Sequence, residues 1–182
     1  MKVRKQLVTA IGIAVALAAL TAGAVGFASE IRTVAMNDQC DPKSFNAVFG
    51  DGTCANNGGV SVNTFLAELT HSQKAGAWSF TPDPLRMREG QAVQAVNTGG
   101  EAHTFTEVEE FGGGFFPELN VFLEGNPEPT PECAEIGKRF FGGDASDLIL
   151  PGGKSDPDFE DPGVIHYQCC IHPWMRTNVI VR

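Results

Sequence analysis

Basic residues are scarce in this sequence. Its 182 residues include 13 Lys and Arg against 22 Asp and Glu, for a net charge of −9. Lys2, Arg4 and Lys5 supply three of the bases at the N-terminus, so removing these three charges from −9 leaves −12. Nucleic-acid binding requires a basic surface. We therefore expect no nucleic-acid partner.

Common motifs of enzymes are also missing. The glycine clusters are not followed by Lys-Ser or Lys-Thr, as a phosphate-binding loop would require. Neither Gly-x-Ser-x-Gly nor His-Glu-x-x-His occurs, and the chain has no internal repeat. The sequence therefore offers no catalytic residues, and we expect that the protein is not an enzyme.

The apolar run at 7–20 is shorter than the roughly 20 residues of a membrane span. A basic stretch precedes it and small residues follow up to Ala28, which is typical of a secretory signal peptide. We predict that residues 1–28 are cleaved, at Ala24 or Ala28, with an uncleaved anchor as the alternative. The mature protein is then periplasmic or secreted, with no membrane segment.

The mature chain divides into two parts by composition. Residues 29–76 form an N-terminal appendage: turn-forming residues make 34–59 loop-rich, and a helix follows Ser61 and ends by Gly76. One face of this helix is apolar at helical spacing, through Val62, Phe65, Leu66 and Leu69.

From residue 77 onward, short apolar runs alternate with turns, which predicts strands. The predicted strands are 77–80, 85–88, 92–97, 102–108, 164–169 and 177–181. Closely spaced strands without long helices favour an all-β antiparallel sandwich or barrel. An acidic, Gly- and Pro-rich insertion at about 109–161 interrupts this 77–182 domain, and we expect one or two short elements in it.

The segment His166-Tyr167-Gln168-Cys169-Cys170-Ile171-His172-Pro173-Trp174-Met175 combines a thiol, an imidazole and a thioether. A thiolate with two imidazoles and a weak axial Met is the ligand set of a blue-copper site. The second imidazole must come from elsewhere, and His103 lies where a predicted strand meets a turn. The predicted metal ligands are therefore His103, Cys169, His172 and Met175.

At these residues the sequence resembles the cupredoxins, the plastocyanin and azurin family of small blue copper proteins. Cys-x-x-His-x-x-Met, with Pro after the His, is similar to the short ligand loop of amicyanin, and the stretch from Pro84 to His103 resembles the strands that bring in the first His. The resemblance covers about 77–108 and 162–182. It implies a Greek-key β-sandwich with one mononuclear type 1 copper ion.

The chain departs from the family pattern in three places. Cys170 follows the ligand Cys, where a small polar residue is usual, and Cys170 is the alternative ligand to Cys169. Thr104 follows the first His where Asn is common, although its hydroxyl is able to bond to the Cys loop. The segment between His103 and Cys169 is also much longer than in small family members.

The remaining histidines and methionines have simpler interpretations. We expect His71 on the surface, His166 to be structural or exposed, and Met36 and Met87 to pack in the core. None of the four His residues forms a His-x-His pair, which argues against the trinuclear centre of a multicopper oxidase.

The resemblance implies that the protein carries single electrons as a monomer. It also implies that His172 is the electron port, because the loop that bears it ends at the surface, and that a cytochrome or oxidase domain docks near Pro173 and Trp174. The alternative is a copper carrier or sequestration protein that delivers copper to a membrane oxidase. A metal-free binding domain is a third possibility.

One Cys ligand leaves four cysteines in an oxidising compartment, and four allow three pairings. We favour Cys40–Cys54, which is local, together with Cys133–Cys170. If Cys169 points to the metal, Cys170 points to the opposite face of its strand, where Cys133 can anchor the insertion. The alternative is that Cys170 is a buried free thiol.

Overall fold

The computed structural model describes residues 30–55, 58–123, 125 and 127–182. The predicted signal peptide at 1–28 lies outside these residues. Among the residues that are described, no helix has both the length and the apolar character needed to cross a bilayer.

The described residues form eight strands and four helices. The strands are β1 (Ile31–Asn37), β2 (Ser79–Thr81), β3 (Leu85–Met87), β4 (Ala92–Asn97), β5 (Thr106–Val108), β6 (Asp158–Phe159), β7 (Gly163–Gln168) and β8 (Arg176–Val181). The helices are α1 (Pro42–Phe49), α2 (Val62–Ser72), α3 (Pro117–Asn120) and α4 (Pro131–Phe141).

Two four-stranded sheets confirm the predicted β-sandwich with a helical appendage. Their strand orders are β2-β1-β4-β6 and β3-β8-β7-β5. The β1–β4 and β3–β8 pairs are parallel, and the other pairs are antiparallel. Alternate residues of both sheets meet in one core, to which β1, β3, β4 and β8 contribute Val34, Met36, Leu85, Met87, Val93, Ala95, Val179 and Val181.

Strand β1 corrects the interpretation of residues 34–59 as loop-rich. Its register with β4 runs from Ile31↔Ala92 to Met36↔Asn97, so the start of the appendage belongs to the first sheet. Val34, Met36, Asp38 and Cys40 are buried while their neighbours are more exposed. This period of two marks an extended segment with one inward face, and the turn-forming Asn37-Asp38 pair obscured it.

Helix α2 agrees with the predicted helix, and the Ser61 side chain caps it by accepting a hydrogen bond from the Thr64 N–H at 3.2 Å. Val62, Phe65 and Leu69 are buried as expected, whereas Leu66 is 39% exposed. The buried face of the helix is therefore narrower than predicted. Helix α1, which the sequence analysis missed, begins after Asp41, whose carboxylate caps it.

The insertion at 109–161 contains more structure than expected, namely α3, α4 and β6. Its residue Ile149 exchanges backbone hydrogen bonds with His103, at 3.2 and 2.7 Å. For this reason the strand predicted over 102–108 is wrong in its first half: β5 begins only at Thr106, and His103 pairs with the insertion as an isolated bridge.

Both favoured disulfides are present. Cys40–Cys54 joins the end of β1 to the segment before α2, and Cys133–Cys170 joins α4 to the loop after β7. Cys169 is the free cysteine, and it is buried. The prediction of paired Cys170 is therefore confirmed, and the free-thiol alternative is wrong.

We expect Cys133→Ala/Cys170→Ala to lower the free energy of unfolding by about 4 kcal/mol, because the bridge closes a loop with a sequence separation of 37. The pair Cys40→Ala/Cys54→Ala, with a separation of 14, should cost about 3 kcal/mol. Urea unfolding of the two variants measures both values. A Cys133–Cys170 variant as stable as the unmodified protein would contradict this expectation.

Candidate metal centre

The pairing of β5 with β7 brings the predicted ligands together. Its register sets Thr106 opposite Gln168, so the residues just before β5 lie beside those just after β7. His103 and Cys169 are therefore neighbours although 66 residues separate them. His172 lies in the tight turn between β7 and β8, which returns it to Cys169.

Three donor atoms converge at this point: Cys169 Sγ, His103 Nδ1 and His172 Nδ1. The sulfur is 3.8 Å from His103 Nδ1 and 4.0 Å from His172 Nδ1, and the two nitrogens are 3.3 Å apart. Metal bonds of about 2.0 Å to nitrogen and 2.3 Å to sulfur would space such donors roughly 3.3–3.8 Å apart. The residues therefore form a cluster able to hold one metal ion.

Met175 is fully buried at the end of the same turn. Its N–H donates to the His172 carbonyl at 2.8 Å, and its carbonyl accepts from the Cys169 N–H at 3.0 Å. These two bonds close the loop that carries Cys169 and His172. The role of Met175 as an axial ligand stays a prediction.

Two backbone groups are directed at the Cys169 sulfur. The N–H groups of Thr104 and His172 donate to it, each at 3.4 Å. Burial opposes ionisation of the thiol, but hydrogen bonds and charge from His103 and His172 outweigh burial and lower the pKa of Cys169 well below its usual value. The thiolate is the form that binds metals.

Behind His103 lies a carboxylate. His103 Nε2 is 2.9 Å from Asp38 Oδ2, and both side chains are fully buried. This bond occupies Nε2 and leaves Nδ1 directed at Cys169. Asp38 is itself fixed by the N–H groups of Cys40, Gly100 and Glu101, at 2.8–3.2 Å.

The Asp38–His103 pair favours positive charge at the imidazole. Burial disfavours the ionised carboxylate, but the hydrogen bonds from His103, Glu101 and Gly100 outweigh it and lower the pKa of Asp38 to about 2. Burial likewise opposes the charged imidazole, but Asp38 and Cys169 outweigh it and raise the pKa of His103 to about 9. The surroundings of the three donors therefore stabilise a cation.

His172 faces a second carboxylate. Its Nε2 lies 3.7 Å from Glu101 Oε2, which also accepts a 2.6 Å hydrogen bond from Trp78 Nε1. Burial raises the pKa of Glu101, while His172 and Trp78 partly offset this effect. Each of the two imidazoles thus has one nitrogen directed at the thiolate and the other at a carboxylate.

The ligand loop does not bring the His172 imidazole itself to the surface, since only 4% of the residue is exposed. The rings of Phe65, Trp78 and Trp174 surround it, with centroids 6.4, 6.5 and 5.5 Å from the imidazole. Pro173 is buried and Trp174 is half-buried. Helix α2 carries Phe65 and thereby covers one side of the His172 imidazole.

No family model and no curated protein sequence matches the chain. Among solved structures it is similar to a purple cupredoxin from Nitrosopumilus maritimus, at 15% identity and a TM-score of 0.41, over 82% of this chain and 98% of that one. It is also similar to plastocyanin from Dryopteris crassirhizoma, at 15% identity and a TM-score of 0.37, over 83% of this chain and 100% of that one.

A third similar structure is amicyanin from Paracoccus versutus, at 16% identity and a TM-score of 0.35, over 57% of this chain and 73% of that one. These cupredoxins are of the family that the ligand motif resembles. The two sheets of this chain form the sandwich, and three of its own donor atoms form a cluster able to hold a metal ion.

Cys170 is removed from competition for a metal because it is paired with Cys133. Its N–H donates to Thr104 Oγ1 at 2.8 Å, so Thr104 makes the bond to the Cys loop that the sequence suggested. The neighbours of the two ligands His103 and Cys169 are thus tied to each other, which holds the two ligands side by side.

The remaining histidines and methionines lie outside the cluster. His71 is exposed on α2, and His166 Nδ1 is 2.7 Å from the Asn178 side-chain oxygen. Met36 and Met87 are buried in the core, in agreement with their expected packing role.

The sequence analysis missed Asp38 and Glu101. Asp38 continues the inward series Val34, Met36 of β1, so period-two alternation was an available signal for it. Glu101 is two residues from His103, but nothing in the sequence indicates that its side chain reaches His172 instead.

Thr104→Val should lower the free energy of unfolding by about 1–3 kcal/mol, because the buried Cys170 N–H loses its acceptor while side-chain shape is retained. Thr70→Val is the matched control, since the Thr70 hydroxyl is exposed and donates to a helix carbonyl. Its effect should stay within about 0.5 kcal/mol. Equal urea midpoints for the two variants would contradict the role of Thr104.

Proposed function

We propose that this chain holds one copper ion at His103, Cys169, His172 and Met175 and carries single electrons between redox proteins, without catalysing a reaction itself. The observation that supports this most directly is the convergence of a thiolate sulfur and two imidazole Nδ1 atoms. A His₂Cys set with a weak thioether is typical of blue copper. When bound, copper supplies the one-electron Cu(I)/Cu(II) couple.

The residues of the chain would serve such a couple by staying in place. Cys169 is fixed by two N–H groups and each imidazole faces a carboxylate, so the donors have little freedom to move. His103, Cys169 and Met175 are fully buried, which excludes water from the donors. Rigid, dry ligands keep the rearrangement that accompanies a change of charge small.

We propose that a cytochrome or oxidase domain docks near Pro173 and Trp174, with this chain acting as a monomer. The half-buried Trp174 ring, 5.5 Å from the His172 imidazole between centroids, then stands between His172 and the partner. The net charge of −9 favours a partner with a positive face and raises the rate of association more than the affinity.

We also propose that the protein is exported, to the periplasm or beyond the cell, after cleavage at the signal peptide. The two disulfides support this proposal, because such bonds persist in oxidising compartments and are rare in the cytosol.

Cys169→Ser should abolish the intense thiolate-to-Cu(II) charge-transfer band of the copper-loaded protein, because the free thiol in the cluster is removed. Cys133→Ala/Cys170→Ala should keep the band, since Cys169 remains. Visible absorption after copper loading measures both. A blue Cys169→Ser protein, or an unmodified protein with no such band, would overturn the proposed function.

Stopped-flow mixing separates electron transfer from copper delivery. The reduced, copper-loaded protein should reduce a cationic cytochrome, at a rate that falls as the salt concentration rises from roughly 0.01 to 0.1 M, because the Debye length then shrinks from about 30 to about 10 Å. Copper should stay bound throughout, because its ligands are buried. Release of copper to an acceptor without any redox change would instead favour the alternative of a copper carrier.

A further inference from the structure

Both imidazoles of the cluster have a buried carboxylate behind them. Asp38 Oδ2 is 2.9 Å from His103 Nε2, and Glu101 Oε2 is 3.7 Å from His172 Nε2. Asp38 and Glu101 are 8% and 7% exposed as whole residues. Within the described residues, the ion pairs of these two carboxylates are made with the two histidines and with no Lys or Arg.

Several hydrogen bonds keep the Asp38 side chain ionised and in place. Its two oxygens accept from the N–H groups of Cys40, Gly100 and Glu101 as well as from His103. A Cβ on Gly99 would collide with the Asp38 carboxylate, so Gly99 leaves room for it. Three N–H donors suit an anion, and they would leave the amino group of an Asn facing other donors.

The indole of Trp78 holds the Glu101 side chain in place. Trp78 Nε1 donates to Oε2 at 2.6 Å, and the same oxygen is the one nearest to His172. Trp78 is itself packed against Phe45 and Phe65, with centroids 5.7 and 4.6 Å away. The carboxylate therefore has a fixed position relative to the imidazole.

We propose that Asp38 and Glu101 are positioning residues that act on a bound copper ion through His103 and His172 and favour Cu(II) over Cu(I), lowering the reduction potential. This inference rests on the proposed function, since it assumes copper at the cluster. It adds to that function a pair of residues outside the ligand motif and a direction for their effect.

The physical reason is charge. A fixed negative charge in a poorly polarisable interior attracts a doubly charged ion more strongly than a singly charged one. Asp38 lies within hydrogen-bond distance of His103 Nε2, so it also fixes that ring and makes its inner nitrogen a stronger donor. Glu101 is 3.7 Å from His172 Nε2 and acts through its charge. Both effects favour the more highly charged state of the metal.

A purely structural role predicts something different. If the carboxylates only held the rings in place, their loss would weaken Cu(I) and Cu(II) binding together and leave the potential unchanged. The ratio of the two dissociation constants therefore distinguishes tuning from support.

The test uses Asp38→Asn and Glu101→Gln in the full mature chain. Glu101→Gln removes the charge and keeps an oxygen for the Trp78 N–H, so its fold should be retained. Asp156→Asn and Glu89→Gln are the matched controls, because they make the same chemical changes at exposed positions. Dissociation constants for Cu(I) and Cu(II) are measured by competition with chelators, and potentials by equilibrium redox titration.

In each site variant the dissociation constant for Cu(II) should rise at least tenfold relative to that for Cu(I). A tenfold change corresponds to about 59 mV for a one-electron couple, here an increase in potential. The controls should change the ratio less than twofold. If Asp38→Asn does not fold, Glu101→Gln decides the matter alone.

An unchanged ratio in a folded site variant whose charge-transfer band is intact overturns this inference and leaves the proposed function standing. Absence of the band from the unmodified protein overturns both. The visible spectrum of the copper-loaded unmodified protein therefore distinguishes failure of this inference from failure of the proposed function.

Discussion

The pairing of β5 with β7 is the contact on which the metal centre depends. It sets Thr106 opposite Gln168, and the chain on either side then carries His103 to Cys169 and Thr104 to Cys170. The segment between the two strands includes the whole insertion. The insertion is nevertheless attached on both sides of the site, because Ile149 pairs with His103 and Cys133 is bonded to Cys170. A long connection therefore does not loosen the centre.

Burial of charge is the second constraint, and it follows from the first. Bringing a thiolate and two imidazoles together in the interior is costly unless each has a partner. The chain supplies those partners from three loops. The segment before β5 provides the Thr104 N–H and the Glu101 carboxylate, the turn between β7 and β8 provides the His172 N–H, and the segment after β1 provides the Asp38 carboxylate. The first sheet thus contributes Asp38 to a site whose donors lie at one end of the second.

Local patterns were enough to predict much of this arrangement. The Cys-x-x-His spacing and the place of His103 between a predicted strand and a turn indicated the three donors that the structure brings together. A short apolar run between turns indicated β4, and the capped apolar stripe indicated α2. The even number of remaining cysteines, the closeness of Cys40 and Cys54 in sequence and the alternation of side chains at Cys169 and Cys170 predicted both disulfides. What was missed depends on tertiary contacts: β1 is stabilised by pairing with β4, and Asp38 and Glu101 reach histidines through the fold rather than through sequence spacing.

The burial of His172 is the most informative difference from the sequence-based expectation of a ligand loop that ends at the surface, because it changes the path by which electrons would leave the site. A short ligand loop suggests an imidazole at the surface, but α2 places Phe65 over it, and Trp78 and Trp174 complete an aromatic cover. The side chains of His172 and Glu101 are only 5% and 9% exposed, so little water screens the interaction between them. Helix α2, through Phe65, therefore both covers the imidazole and helps to shield its ion pair with Glu101 from solvent.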